Sequence, residues 1–269
     1  MRLSFECVAA TLVSVTWLGC HSEPPPQTSS APPAAQAPAA PAAPNPGGGN
    51  SGVAVAGPPP GPATVSEKDC TAPEFLIDDC EDNENEIKLV GGRNGYWYTY
   101  VDKQGTTISP PAHAKFLMSE GGANGSKFSA HMLGKISKNG DPLFAGMGFS
   151  FTNPKGPYDA SQYTGVSFWA KVGPGSTKSA RLKVPDVNTD PDGKICKECF
   201  NDFGADLTLT EQWKKFTIAF AAMKQMKDWG DPNPASINKS KLYGMQFQVN
   251  DEGAAYDLWI DDIRFTGCN

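Results

Sequence analysis

The sequence predicts an all-β domain, a β-sandwich of the jelly-roll kind, behind an export leader and a Pro/Ala/Gly-rich linker. Three observations carry this. First, short runs with period-two alternation of apolar and polar residues recur after Cys70. Second, Gly/Pro/Asn/Asp clusters separate those runs, and no long amphipathic helix interrupts them. Third, the composition is split. No charged residue lies between Glu23 and Glu67. That stretch holds 13 of the 24 prolines, and 25 of the 27 aromatic residues follow Cys70. A segment without large apolar side chains cannot offset the cost of ordering its backbone. The 269 residues therefore divide into a leader (1–19), a linker (20–69) and one domain (70–269).

Taken in order, Arg2 precedes an apolar run over residues 8–18 that is too short to span a bilayer and has the form of an export signal. The sequence Thr16-Trp17-Leu18-Gly19-Cys20 resembles a bacterial lipobox, which implies lipidation of Cys20. The expected location is the cell envelope, as an outer-membrane lipoprotein or at the cell surface. The following 49 residues up to Asp69 combine Pro-Pro-Pro and Ala-Pro repeats with Gly47-Gly48-Gly49. A flexible chain of this length spans about 35–42 Å, and a wholly polyproline one reaches about 150 Å.

Within the domain, Val166, Phe168, Ala170 and Val172 share one face of a run. Phe216, Ile218 and Phe220 share another, and Met245, Phe247 and Val249 alternate with Gln246 and Gln248. In the last run Asp261 falls in phase with Ile263 and Phe265, so it is expected to point inward. One helical turn is expected over residues 221–226. The turn clusters are Gly91-Gly92-Arg93-Asn94-Gly95, Asn153-Pro154-Lys155-Gly156-Pro157, Gly173-Pro174-Gly175 and Asp190-Pro191-Asp192-Gly193.

Composition also excludes. The net charge is −6, and no basic run is present, so the chain lacks the electrostatic footprint of a nucleic-acid binder. It also lacks a polybasic patch for anionic lipid, so any membrane attachment is through the lipid alone. The three histidines, His21, His113 and His131, are too scattered for a His-built zinc site or a Ser-His-Asp arrangement. Cys196-Lys197-Glu198-Cys199 has three readings: a redox motif, half of a zinc site, or a local disulfide. Its surroundings read as loop and strand, and no second pair has zinc spacing, which favours the disulfide. Cys70 and Cys268 bracket the domain and are expected to pair, leaving Cys80 as a buried thiol. Spacing alone leaves other pairings open.

The domain resembles the family 11-like carbohydrate-binding modules, which have a galactose-binding-like jelly-roll fold. Ile77-Asp78-Asp79-Cys80-Glu81-Asp82 is similar to the family's opening strand, with Cys80 in place of a bulky hydrophobe. The stretch Gly165-Val166-Ser167-Phe168-Trp169-Ala170-Lys171 resembles its alternating middle strand. Gln212-Trp213-Lys214-Lys215-Phe216-Thr217-Ile218 resembles a later strand. Leu242-Tyr243-Gly244-Met245-Gln246-Phe247 and Leu258-Trp259-Ile260-Asp261-Asp262-Ile263 resemble the closing ones. The Cys-x-x-Cys loop is an addition to the pattern.

The resemblance implies a structural Ca²⁺ held by Glu81 and Asp261, with Asp79 as a further candidate. It also implies a non-catalytic monomer that binds a polysaccharide of the β-glucan type. Sugar hydroxyls want polar partners and their C–H faces want aromatic rings. The candidates are Arg93, Trp97, Tyr98 and Trp229, Arg181, Asp186 and Asn188, and the outward pair Gln246 and Gln248, with Tyr96 and Tyr100 on the same strand as Tyr98. Two other classes compete. A jelly-roll glycanase or lyase needs paired carboxylates on one strand face, and no strand with closely alternating acids is evident. A structural envelope protein that binds another protein needs neither.

Overall fold

The computed structural model describes residues 71–267. The expected leader, linker, Cys20 lipidation and Cys70–Cys268 disulfide lie outside the described residues. The strands are β1 (Leu76–Asp78), β2 (Trp97–Val101), β3 (Thr107–Ser109), β4 (Ser119–Glu120), β5 (Phe128–Lys135) and β6 (Ala145–Ser150). They continue with β7 (Gly165–Val172), β8 (Ser179–Val184), β9 (Phe203–Thr208), β10 (Lys214–Ala219), β11 (Gly244–Val249) and β12 (Ala255–Thr266). Among the described residues the helical content is limited to short 3-10 turns, as the sequence predicts.

Two antiparallel sheets face each other. One runs β10-β7-β12-β5-β3, with β1 added on β12 and β4 on β5; the other runs β2-β6-β11-β8-β9. Alternation sets which side chains meet between them. Val166, Phe168, Ala170 and Val172 of β7 are buried, as are Phe216 and Ile218 of β10. Phe216 lies opposite Phe168 in register, and their rings stack at 5.5 Å. Phe168 then meets Phe247 of the opposite sheet edge-on at 5.0 Å. Burying each such side chain contributes about 1.5–3 kcal/mol, an upper figure because unfolded chains bury some surface too.

Two expectations are corrected. The alternation in β12 is broken by a bulge: its pairing with β7 shifts register between Asp261 and Arg264, and Asp262 has φ 50°. Leu258 and Ile260 face the core before the bulge, and Ile263 and Phe265 after it. Asp261 is fully buried but lies across from Trp169, not in phase with Ile263. The helical turn expected over 221–226 is a 3-10 turn at Phe220–Ala222. Lys224 then forms a β-bridge to Gly204.

Cys196 and Cys199 form a disulfide, and Cys80 is a buried free thiol, both as expected. Burial, with the Asp78 and Asp261 carboxylates nearby, holds the Cys80 thiol well above its ordinary pKa, so it behaves as a packed apolar group.

Candidate functional site: the outer face of the five-stranded sheet

The inner face of this sheet is built by Phe149, Leu182, Phe203, Met245 and Phe247, all buried. Period two sends their neighbours to the opposite face. There the register aligns two rows across all five strands. One row is Tyr100, Gly146, Gln248, Arg181 and Asp206. The other is Tyr98, Gly148, Gln246, Lys183 and Gly204.

The rows form a linked polar floor. Gln246 Nε2 donates to the Tyr98 hydroxyl at 3.1 Å. Tyr100 donates to Gln248 Oε1 at 3.4 Å, and Lys183 Nζ donates to the same oxygen at 3.4 Å. Arg181 pairs with Asp206 at 2.7 Å and donates to the Lys224 carbonyl at 2.5 Å. The glycines of β6 are required by close approach. A Cβ on Gly146 would sit 2.2 Å from the Tyr100 ring, and one on Gly148 would sit 2.4 Å from the Met245 carbonyl oxygen. β6 thus adds no side chain in the rows, and the Tyr100 ring lies over it. Burial pushes the Tyr98 phenol up to about 12 and the Tyr100 phenol well above its usual range. Both stay neutral near pH 7 and keep their O–H donors.

Asp202, just before β9, stands out. It is 2% exposed, and Lys183 is its counter-charge at 3.1 Å. Among the described residues that ammonium is the one partner found for the carboxylate. Such a group is costly unless something donates to it.

Of the residues singled out from sequence, Tyr98, Arg181, Gln246 and Gln248 come together here, with Tyr100. Arg93, Trp97 and Asp186 are corrected: each is buried and serves the fold. Trp97 is 2% exposed, donates to Asp78 at 2.6 Å and packs on Phe116 and Phe149. Arg93 holds the incoming chain by donating to the carbonyls of Glu74 and Leu76 and to the Tyr158 hydroxyl. Asp186 accepts from the backbone N–H of Asn188, closing its own turn, and from that of Asn238, tying the turn to the segment before β11. Asn188 lines a separate open depression of about 460 Å³ with Ser161, Asn238 and Lys239. Trp229 is 40% exposed on the connection between β10 and β11. Lys183, Asp202 and Asp206 escaped the sequence reading. Their signal was the alternation of Ala180, Leu182 and Val184, and of Phe203, Ala205 and Leu207.

The expected calcium ligands lie on the other sheet. Asp261 accepts from the N–H of Ala123 and Asp262, each at 2.7 Å. Glu81 accepts from the N–H of Lys127 and Phe128 at 2.7 and 2.9 Å. Both carboxylates therefore reach the same segment, 121–128. Burial, with the charges of Asp262 and Glu81, pushes Asp261 up to about 7. Burial also pushes Asp78 up to about 6. Asp79 instead pairs with Lys88 at 2.8 Å. No cluster of three or more His, Cys, Asp or Glu side chains able to hold a metal is found among the described residues.

This architecture is a β-sandwich jelly roll of the kind seen in carbohydrate-binding modules. It is similar to the family 11 module from Clostridium thermocellum in complex with a β-1,3-1,4-mixed-linked tetrasaccharide. The TM-score is 0.50 at 16% identity, over 72% of this chain and 95% of that one. It is equally similar to the solution structure of CtCBM11, with a TM-score of 0.50 at 16% identity over 74% and 99% of the two chains. At this identity the likeness establishes the fold. No family model and no curated protein matches the sequence.

Proposed function

We propose that the domain is a non-catalytic module that binds a neutral polysaccharide of the β-glucan type on the outer face of the five-stranded sheet. The observation that carries this is the pair of aligned rows: amides, phenols and ion pairs over a strand bare of side chains. Neutral glycans present alternating donors and acceptors, and each group of these rows can exchange an internal hydrogen bond for one to a hydroxyl. The modules similar in fold include one bound to a mixed-linked glucan tetrasaccharide, which supports the same ligand class. The test is affinity electrophoresis on a panel of β-glucans, with a reducing-end assay alongside. Binding without product is expected. Turnover abolished by one acidic substitution would establish an enzyme instead, and no retention on any glycan would leave a protein partner.

Two further elements belong to this proposal. A structural Ca²⁺ would be held by Glu81 and Asp261. Its support is the pair of carboxylates, from the segment after β1 and from β12, that converge on residues 121–128, and the buried Asp261 carboxyl with only acidic charges acting on it. The full chain would be tethered to the envelope through lipid on Cys20, with residues 21–69 as spacer and no oligomer required.

A further inference from the structure

We infer that the loop closed by the Cys196–Cys199 disulfide adds an aromatic wall at the β9 end of this face, and that Phe200 is its stacking surface for one pyranose ring. The inference rests on the glycan-binding reading of the face and extends it to a residue that reading does not use.

The first observation is cost without return. Phe200 is 59% exposed and has φ 76°. A bulky side chain in the left-handed region costs about 1–2 kcal/mol, and this one recovers little through burial. Strain of this sort persists where the surroundings impose it. Here they do: the Phe200 N–H donates to the Thr189 carbonyl at 2.8 Å, and the disulfide closes the chain just before it.

The second observation is a companion loop. Asn201, 2% exposed, donates to the carbonyls of Met226 and Trp229 at 2.9 and 2.6 Å and accepts from the Met226 N–H. Glu198 accepts from the N–H of Gly230 and bridges to Asp231. The two loops are thus knitted together, and between them they expose Ile195, Phe200, Met226 and Trp229. These are four of the seven large apolar side chains that are exposed among the described residues.

The third observation places this cluster beside the candidate face. Asp202 follows Phe200 by two residues and pairs with Lys183 of the floor. The Lys224 carbonyl, two residues before Met226, accepts from Arg181 of the floor. A pyranose ring needs both features at once: an apolar surface for its C–H face and an acceptor for the hydroxyls at its edge. Phe200 offers the apolar surface, and the amides and phenols of the floor offer partners for the hydroxyls. The disulfide and the hydrogen bond to Thr189 hold the backbone that carries the ring, which lowers the ordering cost of binding.

The experiment compares the wild type with Phe200→Ala and Phe200→Gly by calorimetry on the β-1,3-1,4 glucan that the wild type retains best. Thermal melting serves as the fold control. Both substitutions are expected to weaken binding roughly tenfold. Phe200→Gly should leave the melting midpoint unchanged or higher, because glycine tolerates this φ. A lower midpoint with unchanged affinity would make Phe200 a purely structural residue and overturn the wall. Unchanged affinity at an unchanged midpoint also overturns it. In both cases the wild type still binds, so the reading of the face survives. A wild type that binds no glycan overturns the two together.

Discussion

His131 shows how single side chains on the second sheet are committed. Its ring stacks on Trp259 at 3.6 Å, and Nε2 lies 2.8 Å from Asp257. Lys171 sits over Trp259 at 4.8 Å and over Trp213 at 4.9 Å. Trp259 thus has both His131 and Lys171 against its ring, and this ladder ties β5, β12 and β7 together. Burial lowers the His131 pKa below 6.5, against the pull of Asp257 and with the Lys171 charge. Folding therefore favours the neutral ring. The contribution is present above the unfolded pKa and is lost as pH falls through the lower folded value. The melting midpoint of the wild type should drop more steeply than that of His131→Gln as pH is lowered from about 7.5 to about 5. Parallel slopes would show that His131 does not contribute.

At the scale of elements, the alternating strands were legible because each buries one face and solvates the other. Val166, Phe168, Ala170 and Val172 fixed β7, and Gln246 with Gln248 fixed the outward face of β11. Two features were not legible for physical reasons. The bulge at Asp262 depends on a backbone φ that alternation does not report. Whether an aromatic such as Trp97 faces the core or the ligand depends on which sheet covers its strand, and both faces of β2 carry aromatics. Arg93 misled for a related reason: two of its partners are backbone carbonyls and the third is the distant Tyr158 hydroxyl, which no motif displays.

The calcium proposal belongs at this scale as well, because Glu81 and Asp261 join the segment after β1, the 121–128 segment and β12. An ion there would tie three elements that are distant in sequence. At a Ca²⁺ concentration about a hundred times its dissociation constant, linkage supplies about 2.7 kcal/mol, or a rise of roughly 5–10 °C in melting midpoint for a domain of this size. The comparison is protein stripped with EGTA against the same protein after Ca²⁺ is restored. An identical midpoint in both, with stripping verified, rules the ion out.

For the whole molecule, composition was the most informative signal. It marks off the charge-free stretch from the aromatic-rich sequence after Cys70 that carries the described strands. A lipid at Cys20 and a long proline-rich spacer would let the binding face sample polymer beyond the envelope. In cells producing the full chain, Cys20→Ser should abolish palmitate incorporation and move the protein from the membrane fraction to the soluble one. Retention in the membrane fraction without label would contradict the anchor. The candidate face was less legible than the fold, because its side chains come from four strands, β2, β11, β8 and β9, that only the register brings into line.

The account depends most on the two rows of that sheet. Its most direct test is calorimetric titration of the described domain with a soluble mixed-linked β-glucan, wild type against Gln246→Ala/Gln248→Ala. Both amides are half-buried and bond to Tyr98, Tyr100 and Lys183, so the melting midpoint of the variant is measured alongside as the fold control. The predicted result is measurable binding by the wild type and a loss of at least roughly tenfold in the variant, the sum of two hydrogen-bonding groups removed. Equal affinity in the two proteins would contradict the assignment of this face.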